Sequence, residues 1–336
     1  MQNTIQDISC YFPEKILTNK DLQEEFPNLK LPELTRLTGV NQRHICADNQ
    51  TSVDMAVAAA EKLFNESSIE KKDVNFIIYC SAGGDYITPS SSCIIHNRIG
   101  LSANCGAFDY NQGCTGYIYG LNMADSMISA GNAKNILLIT SEAITGTIHP
   151  KDSSNRAIFG DGATASIIVK NDRNDKFGQF IFGTDGSKYD RIIIKHGGER
   201  FPLPKYAEKD RIDSFGNVRN HANFYMDGSE VFNFSITKAP ELVSQLLVSS
   251  GLKFDDIDFF VFHQANQIIL ETIGKKLRIP NNKLIIEINA TGNTVSSTIP
   301  IALKNAMDKG LIKRGKILLI AGFGVGFSWG GTILKI

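Results

Sequence analysis

The chain has 336 residues, with 35 lysines plus arginines against 35 aspartates plus glutamates, so its formal charge is zero. That length allows one large or two medium domains with a sizeable core. The balance excludes a protein that coats nucleic acid and a polybasic membrane-surface protein, and leaves room for a local basic patch facing an acidic carrier.

The N-terminal Met1–Asp7 is polar and lacks a signal-peptide core, and no apolar run nears the ~18 residues of a membrane span. Cysteines at 10, 46, 80, 93, 105 and 114 form no CxxC pair. They predict neither a zinc site nor a disulfide framework, but reduced, buried thiols in the cytoplasm.

A helix is expected over 54–65, followed by the apolar strand that ends Asp73–Cys80. Phe108-Asp109-Tyr110 ends a short strand, Gly113 permits a tight turn, and 115–130 runs at helical period. The strand 135–140 leads to Gly160-Asp161-Gly162 and a second apolar run, 165–169. Residues 186–223 carry Gly197-Gly198, Pro202, Pro204 and mixed charges. They read as an irregular excursion of the kind that forms lids and binding loops. Helices follow over 236–250, 265–277 and 297–309. Between them lie the strand that ends in Phe262-His263 and the turn Gly292-Asn293-Thr294.

These elements repeat. Residues 73–80 resemble 256–263, and 135–140 resemble 316–321, both at an offset of about 180. Both members of the second pair precede a glycine-rich turn and an apolar run, Gly324-Val325-Gly326 then 332–336 in the later copy. Two halves of similar order are expected, 1–172 and 173–336. Alternating strands and helices predict largely parallel sheets, stacked as an α/β/α/β/α sandwich.

Three residues carry the chemistry. Cys114, in Asn111-Gln112-Gly113-Cys114-Thr115-Gly116, is placed at a helix N-terminus, where the dipole and free N–H groups favour thiolate. His263 is placed at the C-terminal end of a strand, where α/β sheets hold ligands. Asn293 sits in a tight turn. A Cys nucleophile with a His and an Asn donating to a thioester carbonyl makes an acyl-transfer site. Each residue also has a plainer reading: a buried structural cysteine, a hydrogen-bonded structural histidine, a turn asparagine.

Together the segments resemble the ketosynthase III family of the thiolase superfamily, the β-ketoacyl-ACP synthase III enzymes and their relatives. The likeness runs from Leu37-Thr38-Gly39-Val40 through Gly113-Cys114-Thr115-Gly116, Phe159-Gly160-Asp161-Gly162-Ala163, His263-Gln264-Ala265-Asn266 and Gly292-Asn293-Thr294 to Gly322–Gly330. It implies the duplicated, thiolase-like five-layer fold, and a homodimer that pairs its N-terminal halves. It implies that Cys114 takes an acyl group from acyl-CoA or acyl-ACP. His263 and Asn293 then stabilise the enolate of a malonyl-type extender on an acyl carrier protein as CO2 leaves. The backbone of Cys114 and of Phe323, Gly324, Val325 and Gly326 would hold the oxyanion. Neither metal nor redox cofactor is implied, since the pantetheine thioester is itself the substrate. Arg36, Arg156, Thr88, Asn266 and Phe323 are the substrate contacts it suggests.

The chain departs from that pattern in places. Glu33 occupies the place of an aromatic CoA clamp, Arg36 is offset by one residue, and Arg156 lies close to Phe159. Thr88 replaces a bulky Phe in the 83–90 loop, and Val325 a central glycine. These changes point to a specialised-pathway relative rather than the housekeeping enzyme. Two rival readings are acyl transfer to a hydroxyl or amine without decarboxylation, and a non-catalytic partner subunit.

Overall fold

A computed structural model describes residues 2–171, 175–203 and 208–336. The expected boundary at 172/173 lies outside the described residues, as do Met1 and Pro204. Among the described residues the longer strands form two sheets of five. The first has the order Gln2–Tyr11, Gly162–Asn171, Asn135–Glu142, Phe76–Cys80, Gly106–Tyr110. In the second, Phe259–Phe262 pairs with Ile317–Gly324, which pairs with Ser328–Lys335, and both Lys176–Phe177 and Ile181–Thr184 lie along the far edge of the latter.

The two sheets repeat one pattern. Phe76–Cys80 is parallel to Asn135–Glu142, as Phe259–Phe262 is to Ile317–Gly324. The next strand is antiparallel in both sheets, and so is the edge strand beyond it. A parallel bridge from Phe260 to Leu284 stands where Gly106–Tyr110 stands in the first half. The repeat read from the sequence is therefore a repeat of topology.

The sheets are mixed rather than largely parallel. A parallel neighbour needs a crossover, and one step of the second half has no room for it. Ile317–Gly324 turns back through Val325–Phe327 into Ser328–Lys335, and such a hairpin can only be antiparallel.

Alternation along the strands builds the layers. Ile77, Tyr79, Leu137 and Ile139 face helices Ser52–Glu66 and Ser91–Ile99. Ile78, Ile136 and Leu138 face the other way, onto helices Gly116–Ser129 and Thr298–Asp308. Leu318 and Ile320 reach that same central layer from the second sheet. Leu319 and Ala321 face helices Gly228–Ser250 and Gln267–Leu277. Each sheet is thus covered on both faces, which is why its strands read as continuous apolar runs.

Helix Gly228–Ser250 begins eight residues before the expected 236, because the Asp227 side chain accepts from the Glu230 N–H and caps it there. The described residues of 186–223 are mostly irregular as expected, with a 3₁₀ stretch over Gly186–Arg191 and two-residue pairings such as Arg211–Ile212 with Val218–Arg219.

The halves meet at two glycine turns. Asn293 N–H donates to Ile158 O at 2.9 Å, and Gly160 N–H to Asn293 O at 3.1 Å. A Cβ on Gly160 would lie 2.2 Å from Thr291 O. Gly292, at φ +66°, would place a Cβ 2.7 Å from Ile158 O. Both neighbours are backbone and cannot swing aside. Gly160→Ala should therefore cost about 1–3 kcal/mol, as other forced overpacking does. Thermal unfolding should show a midpoint lowered by several degrees, and an unchanged midpoint would mean that these turns are not in contact.

Candidate active site

Cys114, His263 and Asn293 line one cavity of about 300 Å³. Cys114 comes from the first half, in a short 3₁₀ turn, Gly113–Thr115, that runs into helix Gly116–Ser129. His263 and Asn293 come from the second. Much of the remaining lining is apolar and includes Ile144, Phe159, Ile192, Phe224, Met226 and Val231. Phe159 and Phe224 meet edge to face at 5.0 Å.

The backbone of Ile317–Gly324 runs hard against the cysteine. A Cβ on Gly324 would lie 2.7 Å from both Cβ and Sγ of Cys114, and one on Gly322 would lie 2.7 Å from Cys114 O. Gly113 takes φ +51° and could not carry a Cβ either, since Val325 Cγ2 would be 2.8 Å away. The glycines of both motifs allow two backbones to meet at the thiol.

The cysteine is only 7% exposed. Burial pushes its thiol up to about 12, with the backbone N–H groups of Val325 and Cys114 pulling the other way and the Glu142 carboxylate adding to the rise. Desolvation thus opposes the thiolate that the terminal N–H groups favour. The same two amides are placed to donate to negative charge beside the sulfur.

His263 is 2% exposed, and burial drives its imidazole down to about 3, so it is neutral near pH 7. Its Nδ1 lies 2.6 Å from Thr298 Oγ1. Asn293 Oδ1 accepts from Val295 N–H at 2.9 Å, which leaves the Asn293 amide nitrogen for the cavity. Its nearest protein acceptor, Ala265 O, is 3.4 Å off. Val295 itself takes φ +53°, an outlying conformation for a β-branched residue.

The remaining expected residues divide. Asn266, Phe323, Gly324 and Val325 line the cavity, whereas Gly326 does not. Asn266 spends its Oδ1 on the N-cap of Gln267–Leu277, accepting from Ile269 N–H at 2.9 Å. Arg36, Arg156 and Thr88 lie outside it. Arg36 is exposed on helix Leu31–Thr38. Arg156 pairs with Glu25, donates to Pro150 O and stacks over the Phe26 ring. Thr88 is exposed in the 83–90 loop, most of which borders a separate cavity with Tyr79 and Asp109. No other cysteine lines the Cys114 cavity, and all six are free.

Sequence reasoning missed Thr298, Val295 and the apolar wall. The wall had a signal: Ile192-Ile193-Ile194 is an apolar run inside an otherwise polar excursion. In the structure Ile192 pairs with Met226 across a two-residue ribbon, and both reach the cavity.

Among the described residues one cluster, His196, Glu208 and His221, converges as metal ligands do. Arg211 Nη1 lies 3.1 Å from His221 Nε2 and can only donate, so the His221 proton sits on Nδ1, which faces Glu208 Oε1 at 2.9 Å. His221 is thus hydrogen-bonded to its neighbours, whereas the buried His196 Nδ1 has no hydrogen-bond partner among the described residues, and none of the three lines the Cys114 cavity. No helix of the described residues is long and apolar enough to cross a membrane.

Residues 108–186 match the family model for 3-oxoacyl-[acyl-carrier-protein (ACP)] synthase III, and residues 247–336 that for its C-terminal part. The chain is 35% identical over 336 residues to a β-ketoacyl-[acyl-carrier-protein] synthase III of Coxiella burnetii, covering 99% of this chain and 98% of the relative. A Campylobacter concisus protein of the same name is 34% identical over 330 residues, with coverage of 98% and 95%. A crystal structure of a 3-oxoacyl-(acyl-carrier-protein) synthase III superposes with a TM-score of 0.98 at 37% identity over the whole of both chains. That of the Pseudomonas aeruginosa PAO1 enzyme gives 0.86 at 30%, covering 100% and 98%. The fold is thus thiolase-like.

If burial dominates the cysteine, its labelling by iodoacetamide should be slow at pH 7 and accelerate about tenfold per pH unit towards pH 10, as the thiolate fraction grows. Peptide mass spectrometry follows the rate at Cys114. A rate that levels off below pH 8 would show an activated thiolate instead.

Proposed function

The chain belongs to the β-ketoacyl-[acyl-carrier-protein] synthase III family and is an acyltransferase of that type; from that premise we propose that it loads an acyl group on Cys114 and condenses it with a malonyl-type extender. The observation that carries this reading is the meeting of Cys114, His263 and Asn293 in one cavity with an apolar wall. The apolar wall receives the acyl chain.

In the first half-reaction the Cys114 sulfur attacks the donor thioester, and the amides of Cys114 and Val325 hold the oxyanion. The thiol proton leaves on the departing donor thiol, so the exchange is neutral overall. In the second, the extender carbonyl accepts from His263 and Asn293. Its carboxylate leaves as CO2, and the electron pair becomes the enolate. The enolate carbon attacks the acyl-Cys114 carbonyl, and collapse of the adduct expels the Cys114 sulfur as a thiolate, which takes up one proton from solvent to restore the thiol. A neutral donor pair suits the enolate step, since it stabilises the enolate without quenching it by proton transfer.

The extender's carrier is an acyl carrier protein, as the relatives' name suggests, the donor is an acyl-CoA or an acyl-ACP, and the enzyme is a cytoplasmic homodimer. Support for the dimer comes from the 83–90 loop, where Tyr86 is 67% exposed and Ile87 wholly so. Those apolar side chains stand away from their own Cys114 cavity and suit burial against a second copy, where Thr88 reaches the neighbouring acyl site. Glu33 and Thr88, both exposed, favour a specialised-pathway member that takes carrier-bound or larger acyl groups.

Incubation with an acyl thioester should add one acyl mass to the wild type and none to Cys114→Ala. His263→Ala and Asn293→Ala should still be acylated but lose malonyl-thioester decarboxylation on the order of 100-fold each. Release of CO2 at the wild-type rate by both would reject the enolate role. Labelled malonyl carrier decides against simple transfer to a hydroxyl or amine, which loses no CO2. Separately, Thr88→Phe should shift donor preference towards shorter chains while the dimer persists by light scattering. An unchanged chain-length profile would remove the loop from the acyl site.

A further inference from the structure

The assignment of His263 as a hydrogen-bond donor leaves a chemical question. A neutral imidazole has one N–H and two nitrogens, and only the Nε2–H tautomer can donate from Nε2. Its other nitrogen, Nδ1, must then accept. Thr298 Oγ1, at 2.6 Å, is the hydrogen-bonding group beside Nδ1 among the described residues.

Thr298 opens helix Thr298–Asp308, and its hydroxyl has a second acceptor within reach, Val295 O at 3.1 Å. One hydroxyl proton cannot serve both. If it went to Val295 O, Nδ1 would have to donate to Oγ1, and Nε2 would present a lone pair to the thioester carbonyl. One observation directs it to the imidazole, which Oγ1 faces at 2.6 Å from Nδ1. Val295 O already receives the Thr298 backbone N–H, which closes the 3₁₀ turn Val295–Ser297, so the carbonyl does not need the hydroxyl.

We propose that the Thr298 hydroxyl donates to His263 Nδ1 and so fixes the imidazole proton on Nε2, making His263 a donor towards the cavity. Thr298 is a positioning residue, since it acts through His263. The inference rests on the donor role given to His263 above. It also gives the strained Val295 a purpose. One residue at φ +53° sends its N–H to Asn293 Oδ1 and its C=O to Thr298 N–H. A single turn thereby aims both carbonyl-binding groups, and strain held at such a site is maintained by the surrounding packing.

The test compares Thr298→Val, which keeps the shape and removes the hydroxyl, with Thr298→Ser, which keeps the hydroxyl. Nitrogen NMR of protein labelled with ¹⁵N-histidine, with His263→Ala to identify the signal, reports the tautomer directly. Wild type and Thr298→Ser should show Nε2–H. Thr298→Val should lose that preference and lose malonyl-thioester decarboxylation on the order of 100-fold relative to acyl loading. Thr298→Ser should recover both. An Nδ1–H tautomer in the wild type overturns the proposal, even if Thr298→Val does not fold. So does a Thr298→Val protein that keeps Nε2–H and decarboxylates at the wild-type rate. If His263→Ala itself decarboxylates normally, the donor role of His263 fails instead, while the tautomer signal still reads the effect of Thr298.

Discussion

The site depends on a close contact of two backbones. The strand Ile317–Gly324 of the second half lies against the cysteine turn of the first, near enough that a single methyl on Gly322 or Gly324 would strike Cys114. A second contact of the same kind joins Ile158–Gly160 to Gly292–Asn293. Together they lock the halves where the catalytic groups sit. Duplication supplies two similar sheets, and four glycines, 160, 292, 322 and 324, let them approach closely enough to share one cavity. Close packing of this kind transmits position accurately, because neither backbone has room to shift.

Burial is the second constraint, and it governs the chemistry. It favours the protonated Cys114 thiol and the neutral His263 imidazole. Charge separation between a buried cysteine and histidine would be costly in such a place. A neutral exchange of one thiol for another avoids it, and neutral donors serve the enolate. The backbone amides of Cys114 and Val325 then carry the transient negative charge, a task for fixed dipoles that need no reorganisation.

Much of this was legible in the sequence. Cys114, His263 and Asn293 could be read because each sits in a short motif whose neighbours are fixed by backbone geometry. The repeat was legible because buried strands are continuous apolar runs in both halves. The strand direction was not. Alternation of strands and helices suggested parallel sheets, but the reversal from Ile317–Gly324 into Ser328–Lys335 depends on a three-residue turn rather than on periodicity. Thr298 was hidden for a different reason. It lies 35 residues from His263 and is one of many polar residues near a helix start, where capping is the ordinary explanation. The depth of the thiol was equally hidden, because desolvation comes from the packing of distant segments.

Glu142 shows how the two constraints meet. It ends the strand Asn135–Glu142, is 2% exposed, and accepts from Ser296 Oγ at 2.6 Å and Ala82 N–H at 3.0 Å. It thereby ties the base of the 83–90 loop to the turn that holds Val295. Burial raises its carboxyl to about 7, although both hydrogen bonds favour the charged form. Its folded value lies above the ordinary one, so protonation favours the fold. The contribution is full below the usual carboxylate range and fades as pH rises through about 7. Its charge also raises the Cys114 thiol. The carboxylate thus opposes early ionisation of the cysteine while its hydrogen bonds hold two loops in place. A neutral glutamine would keep one acceptor for those loops and lose the charge, which separates positioning from electrostatics at the one buried acid that touches both.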